Sequence, residues 1–137
     1  MDERCIFCLI AAGQAPAEIV AEDELTVSFM DINPATRGHA LVIPRTHRRD
    51  LLEAEEGELA AVFSAARRLA RLAKERLGAD GVNLLNSCGS AAWQTVFHLH
   101  VHVIPRYTND PLRLPWVPRP GSPEEIAAAA AALREGG

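Results

Sequence analysis

His98-Leu99-His100-Val101-His102-Val103-Ile104 decides the reading of this chain, because three of its five histidines recur there at every second position. Side chains of a strand alternate between its two faces, so this spacing lines the imidazoles along one face and sends Leu99, Val101 and Val103 into the core behind it. On a helix the same spacing would scatter the rings. An ordinary exposed strand face would vary its polar residues, whereas this one repeats a single titratable and nucleophilic type. The pattern predicts a strand from Thr95 to Ile104 that carries the chemistry of the molecule.

Working outward, a loop of small residues from Ser87 to Ala92 lies directly before the histidines, and Gly81 to Asn86 reads as the preceding strand. Between about Glu55 and Leu77 the apolar positions Leu59, Val62, Phe63, Ala66, Leu69, Ala70, Ala73 and Leu77 recur at helical spacing. The acidic start and basic end of this main helix complement its dipole, and Gly78 suits its C-terminal cap. Upstream, His39 to Ile43 forms a mostly apolar strand, ending where Pro44 removes a ladder donor. Ile19 to Ala21 and Leu25 to Met30 form a hairpin, and Cys5 to Ala12 a short helix that Gly13 stops. Downstream, five prolines between Pro105 and Pro120 make an irregular connection, and Ser122-Pro123-Glu124-Glu125 starts a terminal alanine-rich helix. One strand set around one long helix gives an α+β class with an antiparallel sheet.

A chain of 137 residues fits a single domain. Its 48% apolar and 23% charged residues are too apolar for disorder, and a net charge of -4 argues against a nonspecific nucleic-acid binder, which needs many cations to displace counterions from phosphates. A small anionic ligand is compatible with that charge, since local donors can hold one phosphate. No run approaches the roughly 20 apolar residues that span a bilayer, and the first twelve residues are too short and charged for a secretory signal. The expectation is a cytoplasmic protein with no membrane partner. In a reducing compartment Cys5-x-x-Cys8 reads as a metal half-site or a thiol pair rather than a disulfide, and Cys88 as a plain thiol.

Imidazole is a metal ligand as well as a nucleophile, but at about 3.3 Å per residue the outer histidines of a strand sit roughly 13 Å apart. At least one ring must therefore do something other than share an ion with the rest. Neutral imidazole can form a covalent intermediate, and phosphoryl chemistry suits it, with Gln94, Thr95 and the small-residue loop as candidate donors to phosphate oxygens.

On these residues the chain resembles the histidine triad family of nucleotide-binding proteins, whose signature His-φ-His-φ-His-φ-φ is matched throughout residues 98 to 104. The likeness extends over about Cys5 to Tyr107, through Phe29-Met30-Asp31-Ile32, Gly38-His39-Ala40-Leu41-Val42-Ile43-Pro44 and Gln94-Thr95-Val96-Phe97, and is strongest to the Hint-like branch. The residues from 108 to 137 lie beyond that core, as the proline-rich connection and terminal helix. The resemblance implies a five-stranded antiparallel sheet with one long helix and short terminal helices, extended across a homodimer. It implies hydrolysis of purine nucleoside phosphoramidates or related nucleotidyl bonds at the α-phosphate. His100 would be the nucleophile that carries a nucleotidyl intermediate, His102 would contact the phosphate or leaving group, and His98 would complete the catalytic triad by orientation or serve a metal. Ser87, Gln94 and Thr95 would hold phosphate or leaving-group atoms, Asp31 the ribose hydroxyls, and Ile6, Phe7, Ile10, Phe29 and Ile32 the base. Asp31 at a strand end equally serves a turn, and His39 either supports the triad or is a satisfied buried histidine.

Some relatives bind zinc through a cysteine pair and two histidines, which here are Cys5, Cys8, His47 and His98. A closed set of two thiolates and two imidazoles would be structural rather than catalytic. The loop departs from the family pattern. Ser87-Cys88-Gly89 stands where many relatives have Asn-x-Gly, so Ser87 would offer a shorter reach while Asn86 points to the opposite face. Trp93 stands where glycine is usual and would narrow the pocket. A dinucleoside polyphosphate hydrolase, or a nucleotide-binding regulatory module with little turnover, would use the same strand.

Overall fold

A computed structural model describes residues 4–135. The short helix α1 (Ile6–Ala11) leads into β1 (Ile19–Glu22) and β2 (Thr26–Met30), followed by β3 (Ala40–Pro44) and the long α2 (Glu56–Leu77). After α2 come β4 (Gly81–Leu85), a 3₁₀ turn at Ser90–Ala92, β5 (Val101–Arg106) and α3 (Pro123–Glu135). The sheet is antiparallel throughout, in the order β1-β2-β3-β5-β4. The expected class, five antiparallel strands with one long helix and short terminal helices, is the observed one.

The central strands of the sheet are covered on both faces, each by a different set of residues. Ala40 and Val42 of β3 and Val101 and Val103 of β5 meet Val62, Ala65, Ala66 and Leu69 of α2. Alternate residues of the same strands, Leu41 and Ile43, turn the other way and join Val27 and Phe29 of β2 and Phe7, Cys8 and Ile10 of α1. His102 pairs with Leu41 in the register and so falls on this second face. Small Ala40 and Gly38 bring the chain close to α2. Gly38 has φ +90, and a Cβ there would run into the Leu77 side chain.

Helix ends follow the sequence. Glu58 Oε1 accepts the Glu55 N–H at 2.8 Å at the start of α2, and Gly78 closes it in the left-handed conformation at φ 70. The same Glu58 oxygen accepts Arg48 Nε at 2.8 Å, anchoring the His47–Arg49 segment to the helix.

Two strand limits differ from expectation. The histidine strand was expected from Thr95, but ladder pairing begins at Val101: β4 ends at Leu85, and β3, which runs on to Pro44 beside β2, pairs with β5 no further than Val42. Residues 95 to 100 are extended-to-bent chain that leaves the sheet and is held by loops. Pro105 does not end β5, which continues to Arg106. The Arg106 carbonyl faces β4, where it accepts the Asp80 N–H, so the Pro105 peptide faces the opposite side. There β3 has already ended, and the Pro105 carbonyl accepts Thr36 Oγ1 instead of a strand partner, so the missing N–H leaves no ladder bond unmade.

Candidate active site

The segment that precedes β5 is tied down by backbone carbonyls of the 45–50 loop. Leu99 N–H donates to the Arg48 carbonyl at 2.7 Å, and Gln94 Nε2 donates to the Arg49 carbonyl at 2.8 Å and the Val96 carbonyl at 3.1 Å. Gln94 Oε1 accepts Gly89 N–H at 2.8 Å. Asn86 Nδ2 donates to the His100 carbonyl at 2.9 Å. These bonds fix both sides of the histidine run before any ligand enters.

Each triad histidine has one ring nitrogen committed to a protein partner, and that commitment sets what the other can do. His98 Nε2 lies 2.9 Å from the Pro44 carbonyl, which can only accept, so Nε2 carries the proton and Nδ1 keeps its lone pair. His100 Nδ1 likewise donates to the His98 carbonyl at 2.8 Å, leaving Nε2 unprotonated. For His102 the order is reached through His39. Ala35 N–H donates to His39 Nδ1 at 2.9 Å, so the neutral His39 ring is protonated at Nε2, which donates to His102 Nδ1 at 2.9 Å. His102 is then protonated at Nε2. One neighbour is a base and the other a donor, with ring centroids 5.1 Å apart.

Burial keeps all of these rings neutral. It pushes the pKa of His98 and of His102 down to about 4, with nearby imidazoles adding to the effect, and pulls those of His100 and His39 down as well. For His100 and His39, the Asp31 carboxylate opposes the shift.

His100 and His102 open into a cavity of about 500 Å³ on the α1 face of the sheet. Ile6, Phe7, Ile10 and Phe29 form its apolar wall, with Phe7 edge-on to Phe29 and to His100 at centroid distances of 5.4 and 5.0 Å. Asp31, Ile32 and Thr95 also line it, and Ile32 is 90% exposed at its mouth. Asp31 Oδ1 accepts the Asn33 N–H at 2.8 Å, which makes the turn, while Oδ2 sits 3.5 Å from His39 Nε2. A hydrophobic half joined to a polar half with two imidazoles suits a base and sugar at one end and a phosphate at the other.

Two expected contacts are not brought to this cavity. Ser87 is buried away from it, and the Gln94 amide is spent on the loop bonds described above. Trp93 does not narrow it either, being exposed outside its lining. Trp93 adopts φ 78, the left-handed region where glycine sits without a Cβ penalty, and is the non-glycine residue in that region among those described. Asn86 does not project away as a continued strand would require, since β4 ends at Leu85 and frees it to reach His100. Pro16, Ala17, Asn33, Leu41 and Val96 complete the wall without having been singled out by sequence. Their types are ordinary core and turn residues, so only the fold identifies them.

His98 turns to a different group. Cys8 Sγ lies 3.2 Å from His47 Nδ1 and 3.4 Å from His98 Nδ1, and Cys5 Sγ lies 3.4 Å from the same His98 nitrogen. All four ligand atoms lie within 4.8 Å of one another. Zinc bond lengths to sulfur and nitrogen at a tetrahedral angle put the two atoms roughly 3.6 Å apart, close to these spacings. Burial pushes the Cys5 thiol up, and the Cys8 N–H, which donates to Cys5 Sγ at 3.3 Å, works against that rise; His98 Nδ1 presents the lone pair a metal requires. The residues fit a closed four-coordinate site. A second set, Asp31, His39 and His102, is close in space but fails the same test, because the proton on His39 Nε2 occupies the position a cation would need.

A profile of the HIT domain matches residues 12–109. The chain belongs to the HIT family. The histidine triad family is one of nucleotide-binding hydrolases, and this member is similar over its whole fold to solved relatives. The SMU.412c protein of Streptococcus mutans superposes with a TM-score of 0.92 at 36% identity, covering 98% of this chain and 86% of the other. A zinc-bound histidine triad family protein from Mycobacterium smegmatis gives 0.78 at 42% identity and covers 98% of each chain. Adenylylsulfatase HINT3 of Arabidopsis thaliana is 37% identical over 106 residues, which are 77% of this chain and 54% of the plant protein.

Proposed function

We propose that this HIT protein is a nucleotidyl hydrolase that cleaves purine nucleoside phosphoramidates or related nucleotidyl bonds at the α-phosphate, through a covalent intermediate on His100. The observation that carries this reading is the protonation order of the two cavity histidines. His100 donates through Nδ1 to the His98 carbonyl, which leaves Nε2 as a neutral nucleophile and stabilises the charge its ring gains on attack. His102, oriented by His39, offers an Nε2 proton toward phosphate or a leaving atom. Thr95 adds a hydroxyl, Asp31 accepts from ribose hydroxyls, and the apolar wall receives the base.

In this reading Cys5, Cys8, His47 and His98 hold a structural zinc, supported by their donor geometry and by the zinc-bound mycobacterial relative. The metal would cross-link α1 to the histidine run and, with four protein ligands, would leave no open position for substrate. The reading also includes a homodimer. Edge strand β4 exposes Leu84 and Leu85, and Leu114, Trp116, Val117 and Ile126 stand exposed on the tail. A second reading, hydrolysis of an adenylyl sulfate or a dinucleoside polyphosphate by the same nucleophile, is favoured by the similarity to the plant adenylylsulfatase.

His100→Ala tests the common core of both. Turnover of adenosine 5′-phosphoramidate, adenosine 5′-phosphosulfate and diadenosine triphosphate is expected to fall by about three orders of magnitude or more, with the melting temperature kept. Near wild-type turnover in the variant would remove His100 as nucleophile, and saturable nucleotide binding without turnover in the wild type would make the protein a binding module.

A further inference from the structure

α2 packs mainly on β3 and β5, while β1 lies at the edge of the sheet and is exposed along its length. The register of β1 slips between Ile19 and Ala21, and the extra residue, Val20, turns toward the helix side. A cavity of about 320 Å³ opens between that edge and the C-terminal half of α2. Leu69, Leu72 and Leu77 of α2 wall it on one side, and Val20, Met30 and Val103 of the sheet on the other. Arg37 and Arg76 also line it, and no carboxylate does, in a chain whose net charge is -4. Both arginines stand exposed, and among the described residues neither guanidinium has a hydrogen-bond or ion-pair partner. Asp110, which shares a neighbouring hollow with Arg37, is engaged by Arg106 through two bonds of 2.8 Å. The helix dipole accounts for a cation at Arg76, in the last turn of α2, but not for one at Arg37, which lies on no helix.

We propose that this cavity is a binding site for a small amphiphilic anion, an alkyl chain ended by a carboxylate or phosphate headgroup. Its volume matches roughly ten water-sized groups at about 30 Å³ each, the size of an eight-carbon fatty acid anion. An alkyl chain laid between the leucines and the sheet removes apolar surface from water on both sides. The headgroup then stays at the mouth, where the two planar guanidiniums offer paired N–H donors to an oxyanion. An uncharged apolar ligand leaves those donors unused, a cation is repelled by them, and a nucleotide would bury polar sugar atoms against a wall that offers them no partners. Val103 faces this cavity and His102 the histidine cavity, so the thickness of the sheet separates an occupant from His100 and His102. The occupant is therefore not a substrate of the histidines, and the site stands independently of the nucleotidyl reading. It also lies at the opposite edge of the sheet from β4, where the dimer reading places the partner.

The experiment titrates the full chain with octanoate, octyl phosphate and octan-1-ol, all below their micelle thresholds, by calorimetry and by methyl resonances in NMR. At least one of the two anions is expected to bind saturably, one per chain, and about tenfold or more tighter than the alcohol. Whichever anion binds tighter identifies the headgroup. The methyl signals of Met30, Leu72, Leu77 and Val103 should shift, while those of Ile6 and Ile10 in the histidine cavity stay in place. Arg37→Gln/Arg76→Gln, two changes at exposed positions, is expected to keep the melting temperature and to weaken anion binding about tenfold or more, leaving the alcohol unaffected. Equal affinity for anion and alcohol in the unaltered chain, shifts confined to Ile6 and Ile10, undiminished anion binding in the double variant, or no saturable binding of either anion would each overturn the inference. The comparison of anion with alcohol and the positions of the shifts need no variant, so the proposal can fail on the unaltered protein alone.

Discussion

His98 and His100 are two residues apart and both buried, yet one faces a closed group of thiols and the other an open cavity. The difference lies in which ring nitrogen the backbone takes. The Pro44 carbonyl takes Nε2 of His98 and leaves Nδ1 to Cys5 and Cys8, whereas the His98 carbonyl takes Nδ1 of His100 and leaves Nε2 to the cavity. Burial lowers the basicity of both rings, so neither is held there by its charge. On the reading proposed above, what would distinguish a structural imidazole from a reactive one here is the hydrogen bond on its far side. A closed set of four donors has nothing to offer a substrate, and an open pair has little to offer stability.

That contrast predicts the largest effect on the closed side. Cys8→Ser, or treatment with a strong chelator, should cost on the order of 3 kcal/mol or more of folding stability, because metal binding free energy is folding free energy. Thermal denaturation with and without added zinc measures it, and an unchanged melting temperature would dissolve the distinction between the two groups. On the open side His39→Ala should lower kcat about 10- to 100-fold with little change in KM, since it releases the His102 tautomer without removing a substrate contact. His39→Gln, which keeps a side-chain N–H, should recover part of the loss. Equal effects of both variants would make His39 a packing residue.

The smallest expected effect is on acid stability. His102 has its pKa held near 4 by burial, against about 6.5 in an unfolded chain. Between those values the unfolded state binds the extra proton, so the stability His102 contributes is present above about pH 6.5 and lost as pH falls toward 4. Urea denaturation at pH 7 and pH 5 should show less loss on acidification in His102→Asn than in the wild type. A variant as acid-sensitive as the wild type would mean that His102 is not buried neutral.

Much of this was legible in the sequence, and the missing part has a physical cause. Strand alternation at His98–Ile104 and the helical period at Leu59–Leu77 come from local geometry; the helix survives in the fold, and the alternation survives from Val101 onward. The cavity's aromatic and aliphatic wall and the Cys5, Cys8, His47, His98 group come from residue types that cluster on matching motifs. The strand's true start was hidden because it depends on where the chain parts from β3 and where β4 ends, which no residue near His98 encodes. Gln94 likewise has the chemistry of a phosphate donor, and only the fold shows its amide satisfied by Gly89, Arg49 and Val96.

The account stands most directly on a bond between His100 Nε2 and phosphorus. Rapid acid-free quenching of the wild-type protein turning over an adenylyl substrate, followed by peptide mass spectrometry, should find an adenylyl adduct on His100 that forms and decays within the turnover time. Turnover with no adduct on His100 at any quench time, or an adduct confined to another residue, would contradict it.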